Sequence, residues 1–241
     1  MEPVIRITTK CTQKCSHCCY ECSPKRNDMM SITTAKQVKK FLQNNGIKNI
    51  EIMGGEFYCH PQWKRIFEIL VPGLSTVRLV TNGDWAHDKS VPEFLKQFEN
   101  LVLGISKDEW HTNKNVRKAA AACKKHGILH RVATKEETTP ESVVPVGRGE
   151  LLFGFYSMFG CYCKKPDTCV TFLIDEKGAI FHCPFGVWDE GNVKDFDSDF
   201  AEFHDDWRKR FNSVFVANCR VCVEAYRMQV AREKEPCHVS D

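Results

Sequence analysis

At 241 residues the chain is long enough for one sizeable core, or for a large domain with a small appendage. Its 42% apolar and 27% charged composition is ordinary for a globular protein and excludes disordered and fibrous classes. No apolar run approaches the roughly 20 residues of a membrane span, and Met1-Glu2-Pro3 opens no signal peptide, so the cytoplasm is the expected location. The net charge of +3 is uneven, because residues 1–150 hold 23 Lys/Arg against 16 Asp/Glu and residues 151–241 hold 11 against 15. A basic first part suits an anionic substrate, although pairs such as Lys39-Lys40 and Lys124-Lys125 also read as solvated helix faces. Fourteen cysteines without an export signal point to metal ligation rather than a disulfide framework. Cys123, on an Ala-rich helix face, is expected simply to pack.

In chain order, Val4–Thr8 alternates and is β-branched, which predicts a strand. It runs into KCTQKCSHCCYEC, where Cys11, Cys15 and Cys18 stand in a C-x-x-x-C-x-x-C spacing. Three thiols this close in one loop converge on a metal, and the loop by itself fits either zinc or a cubane iron–sulfur cluster with one iron left open. Ser31–Asn45 reads as a helix capped by Ser31 or Thr33, striped by Val38, Phe41 and Leu42, and stopped at Gly46. Lys48–Met53 reads as a second strand leading into Gly54-Gly55-Glu56: two residues of bare backbone against which a ligand can lie, then a carboxylate to accept from an amine. Pro61 fits the first turn of a second helix, with Trp63, Ile66, Phe67 and Leu70 inward. Val77–Val80 is a third strand ending in Thr81-Asn82-Gly83, and Pro92 opens a third helix. Leu101–Ile105 is a fourth strand, ending in Ser106-Lys107-Asp108-Glu109. A helix over Asn113–His126 and a fifth strand over Ile128–Ala133 complete a repeating β-α order, which implies a parallel sheet with right-handed crossovers. Four successive strands thus carry ligand-type residues at their C-terminal ends, where parallel α/β folds build their sites.

The pattern breaks at Thr134–Pro145, a polar stretch too short for a full helix before Val143–Gly149. From Leu151 cysteines gather: Cys161, Cys163 and Cys169, then Cys183 after a predicted β-hairpin with Glu176-Lys177-Gly178 near its turn. Gly191-Asn192-Val193 leads into an amphipathic helix whose Phe196, Phe200, Phe203, Trp207 and Phe211 form a core stripe, and the helix delivers Cys219-x-x-Cys222. Two cysteines from the hairpin and two from this pair make four ligands, a closed metal site.

The Cys11/Cys15/Cys18 loop after strand one, with Gly54-Gly55-Glu56 after strand two, resembles the radical S-adenosylmethionine (SAM) superfamily. The C-terminal stretch, with Pro145-Val146-Gly147-Arg148 ahead of it, resembles the SPASM/Twitch extensions of that family. Only Cys237 remains of the further cysteines a full SPASM pattern carries, so the resemblance favours one auxiliary cluster. It implies an α/β fold: a shortened partial (β/α)5-6 barrel over residues 1–150 and a small cysteine-rich α+β extension, β-hairpin plus helix, over residues 151–241.

The resemblance further implies a [4Fe–4S] cluster on Cys11, Cys15 and Cys18, and SAM held by Gly54, Gly55, Glu56, Asn82 and Ser106, with Arg131 near its carboxylate. An auxiliary [4Fe–4S] cluster is implied on Cys169, Cys183, Cys219 and Cys222; Cys163 competes with Cys169, and zinc is the alternative metal. The implied reaction is reductive cleavage of SAM to a 5′-deoxyadenosyl radical that takes a hydrogen atom from substrate, fed by an electron donor such as flavodoxin or ferredoxin. The substrate is a peptide, a nucleotide or a small metabolite, oxidised or crosslinked. A first strand so near Met1 leaves no room ahead of it for a separate peptide-recognition domain. The other classes are an activase that makes a glycyl radical on a partner, and a non-catalytic iron–sulfur or zinc redox sensor. His17 stands where the family often has an aromatic residue that packs near the adenine, which an imidazole can also do; an exposed histidine is the alternative. His111, His182 and His204 show no ligand spacing and receive no role, and none is assigned to Cys19 or Cys22.

Overall fold

The computed structural model describes residues 1–108, 110–112, 114–134, 172–181 and 189–206. Five strands alternate with four helices: β1 (Val4–Arg6), α1 (Ile32–Asn44), β2 (Asn49–Met53), α2 (Trp63–Leu70), β3 (Thr76–Thr81), α3 (Ser90–Leu95), β4 (Leu101–Lys107), α4 (Val116–Lys125) and β5 (His130–Thr134). Short 3-10 turns follow β2 and β3, over Phe57–Cys59 and Asp84–His87. Three further strands come later: β6 (Leu173–Ile174), β7 (Ala179–Phe181) and β8 (Asp189–Asn192), and residues 200–206 are helical.

All eight strands join one sheet in the order β5-β4-β3-β2-β1-β6-β7-β8. Pairing is parallel from β5 through β1 to β6 and antiparallel from β6 to β8. The expected parallel α/β architecture is present. The C-terminal hairpin continues that same sheet, with Val4 opposite Leu173 and Ile5 opposite Ile174.

Strand alternation makes the two faces unequal. One face is buried: Ile50 and Ile52, Val77 and Leu79, Leu101, Leu103 and Ile105. These side chains pack in one cluster with the apolar stripes of α1 (Ala35, Val38, Phe41, Leu42) and α2 (Trp63, Ile66, Phe67, Leu70). The other face carries Glu51, Met53, Arg78, Val80 and Ser106 and is only partly covered. Cys123 is fully buried in the main cluster, a packed thiol as expected.

Local signals set the helix ends. Ser31, rather than Thr33, caps α1: its Oγ accepts from the Thr34 amide at 3.0 Å. Gly46 at φ 62° turns the chain out of it. α2 starts two residues after Pro61 and α4 starts at Val116, because Asn115 rather than Asn113 takes the N-cap position.

Of the aromatic stripe near the C-terminus, Phe200 is fully buried, with ring centroids 5.0 Å from both Phe41 and Phe172. Phe203 is 38% exposed although its ring meets Phe196. Trp207 and Phe211 lie outside the described residues. No helix among the described residues is long and apolar enough to cross a membrane.

Phe200 therefore fastens the C-terminal segment to α1. Phe200→Ala is expected to cost about 3–5 kcal/mol, and Phe203→Ala about 1 kcal/mol or less, in urea unfolding of the full chain. Equal losses would mean that the segment does not dock through Phe200.

Candidate metal and cofactor site

The C-terminal ends of β1 to β4 meet at one pocket. Cys11, Cys15 and Cys18 line it, with Cys19 and Cys22 beside them. Opposite stand Met53, Gly54 and Gly55 from the end of β2, Val80, Thr81 and Asn82 from β3, and Ser106 from β4. His17 and His111 close one side.

The cysteine loop is tied down on three sides. Its base is fixed by the Cys11 amide donating to Ser23 O at 3.1 Å and the Ser23 amide donating to Thr9 O at 3.3 Å. The glycine pair holds the second side: the Gly55 amide donates to Thr8 O at 2.8 Å and the Glu56 amide to Lys10 O at 2.9 Å. The main chains run so close here that a Cβ on Gly55 would lie 1.9 Å from Lys10 O, and one on Gly54, at φ 143°, 2.5 Å from Thr8 O. The two glycines therefore admit the cysteine loop itself against bare backbone, besides facing the pocket.

The third side is a polar hub that sequence reading did not find. Asp84 Oδ2 accepts from Thr12 Oγ1 and from Gln13 Nε2, and its Oδ1 accepts from Asn115 Nδ2. Gln13 Oε1 accepts from the Thr112 amide at 3.0 Å, reaching the segment after β4. Only the T-N-G-D run hinted at Asp84, as a turn residue; Thr12 and Gln13 lie 72 and 71 positions away and Asn115 31.

Glu56 is fully buried and is not among the residues lining the pocket. Its carboxylate accepts from Thr81 Oγ1 at 2.7 Å and from the Asn82 amide at 2.8 Å. Burial pushes its carboxyl up to about 7, and those two hydrogen bonds pull it only part of the way back. Asn82 does line the pocket; its Nδ2 donates to Thr12 Oγ1 at 3.0 Å and to Cys11 Sγ at 3.7 Å, and its Oδ1 accepts from the Asp84 amide. Ser106 sits in the wall as well. Arg131 pairs across β4 with Gly104, and its side chain is exposed and outside the pocket wall. Cys169, Cys183, Cys219 and Cys222, with Cys161, Cys163 and Cys237, lie outside the described residues.

The donor set fits a metal centre. Cys11 and Cys15 are buried. Burial above all, with the Glu56, Cys18 and Asp84 charges, pushes the Cys11 thiol up to about 11 against the pull of the Gln13 amide. Cys22 is pushed up further, first by its hydrogen bond with Cys18 and then by burial. A nearby cation would favour ionisation of a thiol placed as Cys11 is, and a triad of cysteine sulfurs suits iron–sulfur or zinc.

Beside it lies a group of another chemistry. Asp108 Oδ1 accepts from the Trp110 and His111 amides at 2.9 and 3.0 Å and from His111 Nδ1 at 2.8 Å. His17 Nε2 is 3.9 Å from Asp108 Oδ2. Burial pushes the Asp108 carboxyl up, but His111 and His17 together hold it below the usual range. The D-x-x-H run was the available signal for this group, yet His17 joins it from 91 positions away, which no local spacing reveals.

The sequence profile of the radical SAM superfamily matches residues 5–134. The subtilosin biosynthesis protein AlbA of Bacillus subtilis (strain 168), named for an antilisterial bacteriocin, is 33% identical over 146 residues, 55% of this chain and 32% of that protein. The chain thus aligns with about a third of that curated relative. Among solved structures, BtrN in complex with AdoMet and 2-DOIA superposes with a TM-score of 0.59 at 14% identity, covering 86% of this chain and 85% of BtrN. Streptococcus suis SuiB bound to precursor peptide SuiA gives 0.51 at 12% identity, covering 81% of this chain and 63% of SuiB. At such identities the likeness is one of fold.

Gly55→Ala forces a Cβ into the Lys10 carbonyl. The expected result is a loss of about 1–3 kcal/mol in urea unfolding of the metal-free chain, with impaired iron retention after reconstitution. Gly104→Ala, whose Cβ would meet only Leu79 O at 3.9 Å, is the control and is expected to be neutral or stabilising by about 0.4–1 kcal/mol. Tolerance of both substitutions would show that the close approach is dispensable.

Proposed function

The chain belongs to the radical SAM superfamily, and from that premise we propose that it is an enzyme that generates a 5′-deoxyadenosyl radical and uses it to modify a peptide. The carrying observation is the convergence of Cys11, Cys15 and Cys18 with Gly54, Gly55, Asn82 and Ser106 on one pocket. When bound, a reduced [4Fe–4S] cluster supplies the electron that opens the SAM sulfonium, the hard chemistry that the polypeptide alone does not do.

Cys11, Cys15 and Cys18 would hold the cluster. Gly54 and Gly55 offer main chain without side chains, while Asn82 and Ser106 supply polar atoms to the wall. Glu56 acts through Asn82: its carboxylate fixes the amide at which the β3 loop turns into the pocket.

Residues 1–150 form the catalytic part in this reading. Residues 151–241 form an auxiliary part in which Cys169, Cys183, Cys219 and Cys222 would hold a second [4Fe–4S] cluster, which would bind the substrate or take up the electron released when a substrate radical is oxidised. A flavodoxin- or ferredoxin-like protein supplies the priming electron. A peptide is favoured over a nucleotide or small metabolite because AlbA is named for bacteriocin biosynthesis and SuiB is solved with a precursor peptide.

The experiment is anaerobic: reconstitute the chain, count iron, add a strong reductant and SAM, and measure 5′-deoxyadenosine. About eight irons per chain is expected, as two [4Fe–4S] clusters require, with product abolished by Cys15→Ala. About four irons with product would keep the enzyme and replace the auxiliary cluster by zinc or nothing. A chain that holds iron yet never yields 5′-deoxyadenosine would leave an iron–sulfur redox protein instead.

A further inference from the structure

The structure assigns a second metal site at the edge of the pocket: we propose that His17, Asp108 and His111 bind one first-row divalent cation through two imidazoles and a carboxylate. The three residues come from the cysteine loop, the end of β4 and the turn beyond it. One donor atom from each lies within 4.8 Å of the other two. All three side chains are largely shielded from solvent, at 22%, 10% and 16% exposure.

The plainest account is a local turn: Asp108 accepting from two amides just ahead is a common device for starting one. That explains Oδ1, which receives the Trp110 amide, the His111 amide and His111 Nδ1. It does not explain why a second imidazole arrives from the cysteine loop and meets His111 edge to face, with centroids 5.1 Å apart. Nor does it explain why Oδ2 is turned toward that ring.

A cation accounts for the whole arrangement. Nitrogen and carboxylate oxygen bind zinc or ferrous iron at about 2.0–2.2 Å, with donor atoms gathered close around the ion. Here one donor atom from each side chain already lies within 4.8 Å of the other two. The two backbone hydrogen bonds to Oδ1, from the Trp110 and His111 amides, then act as outer supports that hold the carboxylate in place. Three protein donors leave positions for water, and these open on the pocket, because His17 and His111 line it. The site is chemically distinct from the thiol triad, although His17 precedes Cys18 directly.

The test uses zinc on the full chain with its clusters loaded, so that the cysteines are occupied. After zinc is added and excess removed, zinc is counted and its K-edge X-ray absorption fine structure recorded. A zinc ion with nitrogen and oxygen neighbours at about 2.0–2.1 Å is expected, separable from any zinc–sulfur shell at about 2.3 Å. His111→Gln and Asp108→Asn are each expected to abolish that shell at unchanged iron content, and Asp108→Glu to retain it. Unchanged iron content reports folding, so a lost shell is not an unfolded chain. Zinc bound through sulfur alone, no added zinc, or a light-atom shell that survives both variants would overturn the assignment. The result is independent of the proposed activity, since a chain that fails to cleave SAM still shows or lacks the light-atom shell.

Discussion

The arrangement of the pocket depends on how closely the end of β2 runs past the end of β1. Two main-chain hydrogen bonds, from the Gly55 and Glu56 amides to Thr8 O and Lys10 O, set that distance. Nothing larger than hydrogen fits on Gly55. The consequence passes outward in order. With the start of the cysteine loop fixed against β2, Thr12 and Gln13 are placed where Asp84 accepts from both. Gln13 then reaches Thr112 after β4. Four strand ends are thus linked through one thirteen-residue loop, and the loop keeps its shape because its polar atoms are used locally rather than by solvent.

Glu56 shows how a buried carboxylate is retained in such a setting. Taking an ionised carboxylate out of water costs several kcal/mol unless it is hydrogen-bonded. Thr81 meets part of that cost with one hydroxyl used in full: it donates to Glu56 and accepts from the Gly83 amide and from Trp85 Nε1, both at 3.0 Å. The Asn82 amide supplies the other bond. The carboxyl still sits near 7, so burial outweighs the hydrogen bonds. The net effect is to fix the β3 turn, which explains a carboxylate beneath the pocket floor rather than in its wall.

The parallel sheet was legible in the sequence because its signals are local. Alternation and β-branching marked β1, helical spacing marked α1 and α2, and Ser31 or Thr33 marked a cap. The cysteine spacing and the glycine pair were legible for the same reason. What stayed hidden depends on distant partners. The direction of the Glu56 side chain follows from Thr81 and Asn82. The Asp84 hub needs Thr12, Gln13 and Asn115 at once. His111 is unremarkable until the cysteine loop carries His17 to it, and Phe203 fits a helical stripe yet stays 38% exposed, while Phe200 and His204 on the same helix are buried. The hairpin was expected apart from the barrel; its pairing with β1 is a long-range contact that no turn residue encodes.

That pairing bears on the pocket. The turn between β6 and β7 carries Asp175 and Glu176, both buried, to Arg6 at the end of β1; Arg6 Nε donates to Glu176 Oε2 at 2.8 Å. Burial alone would lower the Arg6 guanidinium, and the two carboxylates more than reverse it. The same guanidinium lies 5.3 Å from the ring of Tyr20 in the cysteine loop, and Tyr20 OH reaches Met53 Sδ at 3.2 Å. Removing one member of a buried ion pair strands its partner, at a cost of about 3–5 kcal/mol. Hairpin, first strand and cysteine loop therefore cannot separate cheaply. The C-terminal half contributes to the shape of the pocket through Arg6 and Tyr20, whatever its own cysteines hold.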